Sequence, residues 1–64
     1  MNNTRIRNAL FQNNTKYWQL ARIMGVSEAT LSRRLRDELP DDEQARIVRL
    51  IEREAAKNEE ASNN

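Results

Sequence analysis

The chain has 64 residues, a net charge of +1, no Cys and no His. Disulfide and thiolate chemistry are excluded, and the usual metal ligand and near-neutral proton carrier are missing. A single small domain is expected, near the lower size at which a core sustains a fold unaided.

No apolar run approaches the ~20 residues that span a bilayer. The N-terminal stretch MNNTRIRNALF lacks the apolar core of a secretory signal. An intracellular protein is expected, in which the Asn-x-Thr sequons at Asn2 and Asn13 stay unglycosylated. The charge is unevenly placed. Residues 1–39 carry seven basic and three acidic side chains, and residues 40–64 carry four basic and seven acidic. A basic first part fits a nucleic-acid surface, and scattered charge on a helical protein fits equally well at this level.

Helix formers dominate, and one Gly and one Pro leave little for β-turns, so the chain is expected to be all-α. Helix 1 is predicted from about Thr4 to Gln12, capped by Asn3 or Thr4, with Ile6, Ala9 and Leu10 as its apolar stripe. Asn13 and Asn14 end it, because Asn tolerates the left-handed conformation. Helix 2 is predicted to follow a Thr15 cap and run to about Met24. Tyr17, Leu20, Ala21 and Met24 share one face. Trp18 lies beside that stripe, and partial packing against helix 1 or helix 4 is expected. Gly25 follows as the positive-φ stop.

Helix 3 is predicted after a Ser27 cap, over about residues 28–36, with Glu28 in its first turn and Leu31 and Leu35 inward. Arg33, Arg34 and Arg36 lie toward its C-terminus, where Arg36 suits an ion pair as well as a DNA contact. Helix 4 is predicted from near Pro40, with Asp41, Asp42 and Glu43 in its first turn. Ile47, Val48, Ile51 and Ala55 form its inner stripe, and Leu50 falls off that line. Residues 1–57 are expected as the domain and 58–64 as a polar, disordered tail.

The segment from Thr15 to Leu35 has the parts of a two-helix corner. Ala21 is small enough for a steep helix crossing, and Gly25 supplies the turn. Val26 and Leu31 can seal the corner against Leu20. These are the parts of the helix-turn-helix arrangement, which in DNA-binding proteins lays its second helix in the major groove.

Leu20-Ala21-x-x-x-Gly25-Val26-Ser27-x-x-Thr30-Leu31-Ser32 resembles the helix-turn-helix of the lambda-repressor/Cro-like (Xre) family. The similarity covers roughly residues 4–55. It implies a compact, lambda-repressor-like bundle of four helices that binds double-stranded DNA sequence-specifically. It also implies a transcriptional regulator, acting as a repressor, in the cytoplasm of a bacterium or of a phage-infected cell. By this resemblance Glu28, Ala29 and Arg33 hold base-reading positions, with Ser27 and Ser32 beside them. Arg33 can fork onto guanine, Glu28 can accept from a cytosine amino group, and Ala29 can touch a thymine methyl. The alternative for Glu28 is a plain helix-dipole residue.

Thr15, Lys16, Tyr17, Thr30 and Arg34 are expected on the DNA backbone. Tyr17 stands where family members carry Gln, and its hydroxyl can donate to a phosphate. The family's fifth helix is expected to be missing or abbreviated after helix 4. A homodimer through Ile47, Leu50 and Ile51 of helix 4 is expected. No catalysis, metal, cofactor, small-molecule ligand or membrane is expected. Two alternatives stay open: an excisionase-like accessory factor in site-specific recombination, and a protein–protein module using the same basic face.

Overall fold

In the computed structural model, which describes residues 3–62 and side chains as far as residue 57, the chain forms four helices. They are α1 (Thr4–Gln12), α2 (Tyr17–Met24), α3 (Glu28–Arg34) and α4 (Asp41–Ser62).

α1 and α2 end on the same device. At the end of α2, Gly25 takes φ +72°. The Gly25 amide donates to the Arg22 carbonyl (3.1 Å), and the Val26 amide reaches back to Ala21 (3.0 Å). At the end of α1, Asn14 takes φ 51°. The Asn14 amide donates to Phe11 (3.2 Å) and the Thr15 amide to Leu10 (2.8 Å). Each is a Schellman stop, in which a left-handed residue turns two amides onto the last free carbonyls. Asn13 reinforces the first, its side-chain amide donating to the Ala9 carbonyl at 2.8 Å.

Each helix contributes one fully buried apolar side chain to the centre: Ile6, Leu20, Leu31 and Ile51, all 0 % exposed. Ala9, Ala21, Leu35 and Ile47 complete the buried core. Leu10, Tyr17, Met24, Val26, Leu39 and Val48 pack around it half-buried. α4 carries the assembly: α1 packs along it, and α2 rests on it as well as on α3. A 22-residue helix is about 33 Å long, which accounts for most of the 39 Å long axis. Among the described residues, no helix is long and apolar enough to cross a membrane.

Several expectations need correction. Asn3 occupies the cap position of α1, but its side chain does not cap that helix. It turns instead to the segment between α3 and α4. Lys16, not Thr15, precedes α2 in extended conformation. Gln19 holds it by accepting from the Lys16 amide at 2.6 Å. Thr15 donates its hydroxyl to the Asn13 carbonyl.

α3 ends at Arg34, so Arg36 lies in the turn beyond it. The Asn3 side chain takes the carbonyls of Leu35 and Asp37, groups a continuing helix would use. Pro40 sits one residue ahead of α4, and its carbonyl accepts from the Gln44 amide at 3.0 Å. Helical backbone continues to Ser62, past the predicted end of helix 4. Of the tail expected over 58–64, the side chains and the last two residues lie outside the described residues.

The dimer surface expected on helix 4 is also corrected. Ile47 is 7 % and Ile51 0 % exposed, so both belong to the core and neither is offered to a second copy. Leu50 is half-buried. Trp18 does not join the core either: it remains 47 % exposed. It is about 160° around α2 from Leu20, at about 100° per residue, and shares its outward side with Arg22.

Candidate nucleic-acid interface

α3 has seven residues, too few to hold a helical shape alone in water. Three supports fix it. Ser27 caps its start, accepting from the Thr30 amide at 3.1 Å. Leu31 anchors its middle in the core. Asn3 binds the backbone at its far end. A helix held at start, middle and end presents its remaining side chains in a fixed frame.

The placement of those side chains follows from the helical repeat of about 100° per residue. Ala29 and Arg33 fall opposite the buried Leu31 and face directly outward. Glu28 and Ser32 lie together on one flank, and Thr30 and Arg34 on the other. Glu28, Ala29, Ser32, Arg33 and Arg34 are all exposed. The predicted base-reading residues thus share one outer surface, except Ser27, whose hydroxyl is engaged in the cap. That hydroxyl also donates to the Thr30 hydroxyl at 3.0 Å, so Thr30 belongs to the same cap.

The start of α2 adjoins this surface. The Tyr17 hydroxyl lies 3.3 Å from the Ser32 hydroxyl, bridging the two helices of the corner. Lys16, exposed, stands just before α2. The free amides of a helix start, with a lysine beside them, suit a phosphate. Thr15 is half-buried, with its hydroxyl turned to the backbone of the α1–α2 turn.

Behind the surface lies a polar junction that sequence reasoning did not assemble. Asn3 is 1 % exposed. Its side-chain amide donates to the carbonyls of Leu35 (3.0 Å) and Asp37 (3.1 Å). Its side-chain oxygen accepts from the Leu39 amide at 2.8 Å. Its own backbone amide donates to Glu38 at 2.9 Å. The other Glu38 oxygen accepts from the Gln44 side chain at 2.6 Å, which also donates to the Leu39 carbonyl. These bonds hold the Glu38 carboxyl below its ordinary pKa, the Asn3 amide contributing most and Gln44 next. Gln44 is 2 % exposed, and its own oxygen is buried without a partner.

No local pattern marks this junction, because Asn3 and Glu38 are 35 positions apart. A faint signal was present: Gln44 sits at a core position of helix 4, in line with Ile47 and Ile51. Phe11, 86 % exposed at the end of α1, was also not singled out.

No curated protein and no solved structure matches the chain. A model of the antitoxin Xre-like helix-turn-helix domain matches residues 18–52, more than half of the sequence. The match opens at Trp18 in α2, contains all of α3 and runs into α4 as far as Glu52. It therefore takes in the glycine corner, the capped helix and its anchoring core. The chain belongs to the antitoxin Xre-like helix-turn-helix family and carries a DNA-binding domain of the kind that regulates transcription.

Proposed function

We propose that the protein is a sequence-specific repressor that inserts α3 into the major groove of double-stranded DNA. The observation that carries this reading is the outward face of α3, where Ala29 and Arg33 stand opposite the buried Leu31. An outward arginine on a short, held helix can reach guanine O6 and N7 together. Ala29 meets a thymine methyl, Glu28 a cytosine amino group, and Ser32 a neighbouring base edge.

Lys16 and Arg34 supply backbone attraction, with the free amides at the start of α2. Thr15 and Thr30, their hydroxyls held within the fold, contribute shape to the backbone-facing rim. Residues 1–57 form the binding unit, and its place is the cytoplasm, with the DNA.

A domain of this size makes few contacts, so high specificity calls for two copies on an inverted repeat. The test is selection from random duplexes, followed by affinity measured across a salt series. The expected result is one short motif in inverted repeat, with affinity falling steeply as salt rises. Direct repeats would favour an accessory role in recombination. Absence of duplex binding at low salt would overturn the DNA reading and leave the protein–protein module.

A further inference from the structure

Ser32 is exposed, on the flank of α3 that also carries Glu28. Its oxygen lies 3.3 Å from the Tyr17 hydroxyl. Two hydroxyls can share a hydrogen bond in either sense, and their chemistry decides which. A phenol, with a pKa of about 10, is more acidic than an alkyl alcohol, and its oxygen is the weaker acceptor. Tyr17 therefore donates and Ser32 accepts. The Tyr17 ring packs against the core, so its hydroxyl is held where it is. Accepting this bond occupies one side of the Ser32 oxygen and leaves the Ser32 proton for an outside partner.

The polarity matters in the major groove. Guanine offers N7 and O6 as acceptors, adenine N7 and thymine O4. Cytosine offers only an amino donor. A serine with no internal partner serves either kind of edge; one already accepting from within is turned toward donation. We infer that Tyr17 is a positioning residue that sets Ser32 as a hydrogen-bond donor, so that the protein disfavours cytosine at the base facing Ser32. This rests on the DNA-binding reading, and it assigns the Tyr17 hydroxyl to Ser32 rather than to a phosphate.

The experiment compares sites selected from random duplexes by the unaltered protein, Tyr17→Phe, Ser32→Ala and Ser32→Thr, each checked for helical content. The unaltered protein depletes cytosine at one position by about three- to tenfold, the scale of a single neutral hydrogen bond. Ser32→Ala abolishes that depletion and so identifies the position. Tyr17→Phe relaxes it there while leaving other positions and the salt dependence unchanged. Ser32→Thr, which keeps the hydroxyl, retains it.

If Tyr17→Phe weakens all sequences alike with an unchanged base profile, the hydroxyl serves a phosphate and the inference fails. It also fails if the unaltered protein accepts cytosine at the position that Ser32→Ala alters. Should Tyr17→Phe not fold, the serine pair decides: a threonine that loses the depletion as alanine does overturns the inference. Failure of the unaltered protein to select any duplex rejects the DNA-binding reading itself, and the inference with it.

Discussion

At the C-terminal end of α3, a residue 1 % exposed donates to the carbonyls of Leu35 and Asp37 and accepts from the Leu39 amide. On the outer face of the same helix, Ala29, Ser32 and Arg33 stand in solvent. The two regions lie within one short segment and divide its tasks. The Asn3 junction turns polar groups inward, where each bond removes a way for α3 to move. The outer face leaves its side chains turned to whatever lies against the helix. On the proposed DNA-binding reading, substitutions at the junction should act on stability and substitutions on the face on recognition.

The largest effect is expected from Asn3→Ala. It leaves the buried Leu35 carbonyl and the partly buried Asp37 carbonyl and Leu39 amide without their side-chain partner and forces alanine into φ 60°. A loss of about 2–4 kcal/mol is expected, most of the roughly 3–5 kcal/mol a domain this small possesses. Urea unfolding measures it. Asn3→Gly, which accepts the backbone angle freely, should recover only the conformational part of that loss.

Arg33→Ala makes the opposite test. Affinity for the selected duplex should fall by about 1–3 kcal/mol, and discrimination at one base pair should disappear. The unfolding midpoint should move by no more than about 0.5 kcal/mol in stability. A large loss of stability here would break the division between face and junction.

Gly25→Ala probes the corner that joins the two helices of the motif. Nothing lies within 4 Å of the added methyl, so the cost is conformational alone. At φ +72° it is about 1 kcal/mol, seen as a lower melting temperature with recognition unchanged.

The smallest effect is one of pH. Glu38 has a lowered pKa in the folded protein, so its contribution is complete at neutral pH. That contribution declines as pH falls through the ordinary glutamate value of about 4.3 and on through the lower folded value. Denaturation midpoints taken from neutral pH into acid should therefore fall less steeply for Glu38→Gln than for the unaltered protein.

Much of the fold was legible in the sequence because its signals are local. The stripe Ile6–Ala9–Leu10 marked α1 and the asparagines flanking it its ends, and Ser27 and Gly25 marked α3 and the corner through single-residue preferences. The exposed set on α3 follows from helical spacing once Leu31 is taken as buried. Errors arose where a local rule met a distant partner. Asn3 is a good helix cap by composition, but three backbone groups beyond α3 claim its side chain. Arg36 follows the helix pattern, yet α3 ends at Arg34 and the same asparagine takes the Leu35 and Asp37 carbonyls beyond it. Ile47 and Ile51 fit both an inner stripe and a dimer face until α1 and α2 pack on α4 and bury them.

By itself, then, the sequence determined the four helices, the corner at Gly25 and the family resemblance, because periodicity, capping and positive-φ tolerance act within a turn or two of the chain. Tertiary structure alone decided what Asn3, Glu38 and Gln44 do together, that Trp18 stays outside, and that Tyr17 meets Ser32. These depend on which surfaces the packed helices bring within hydrogen-bonding distance, about 3 Å, and no spacing along the chain encodes that.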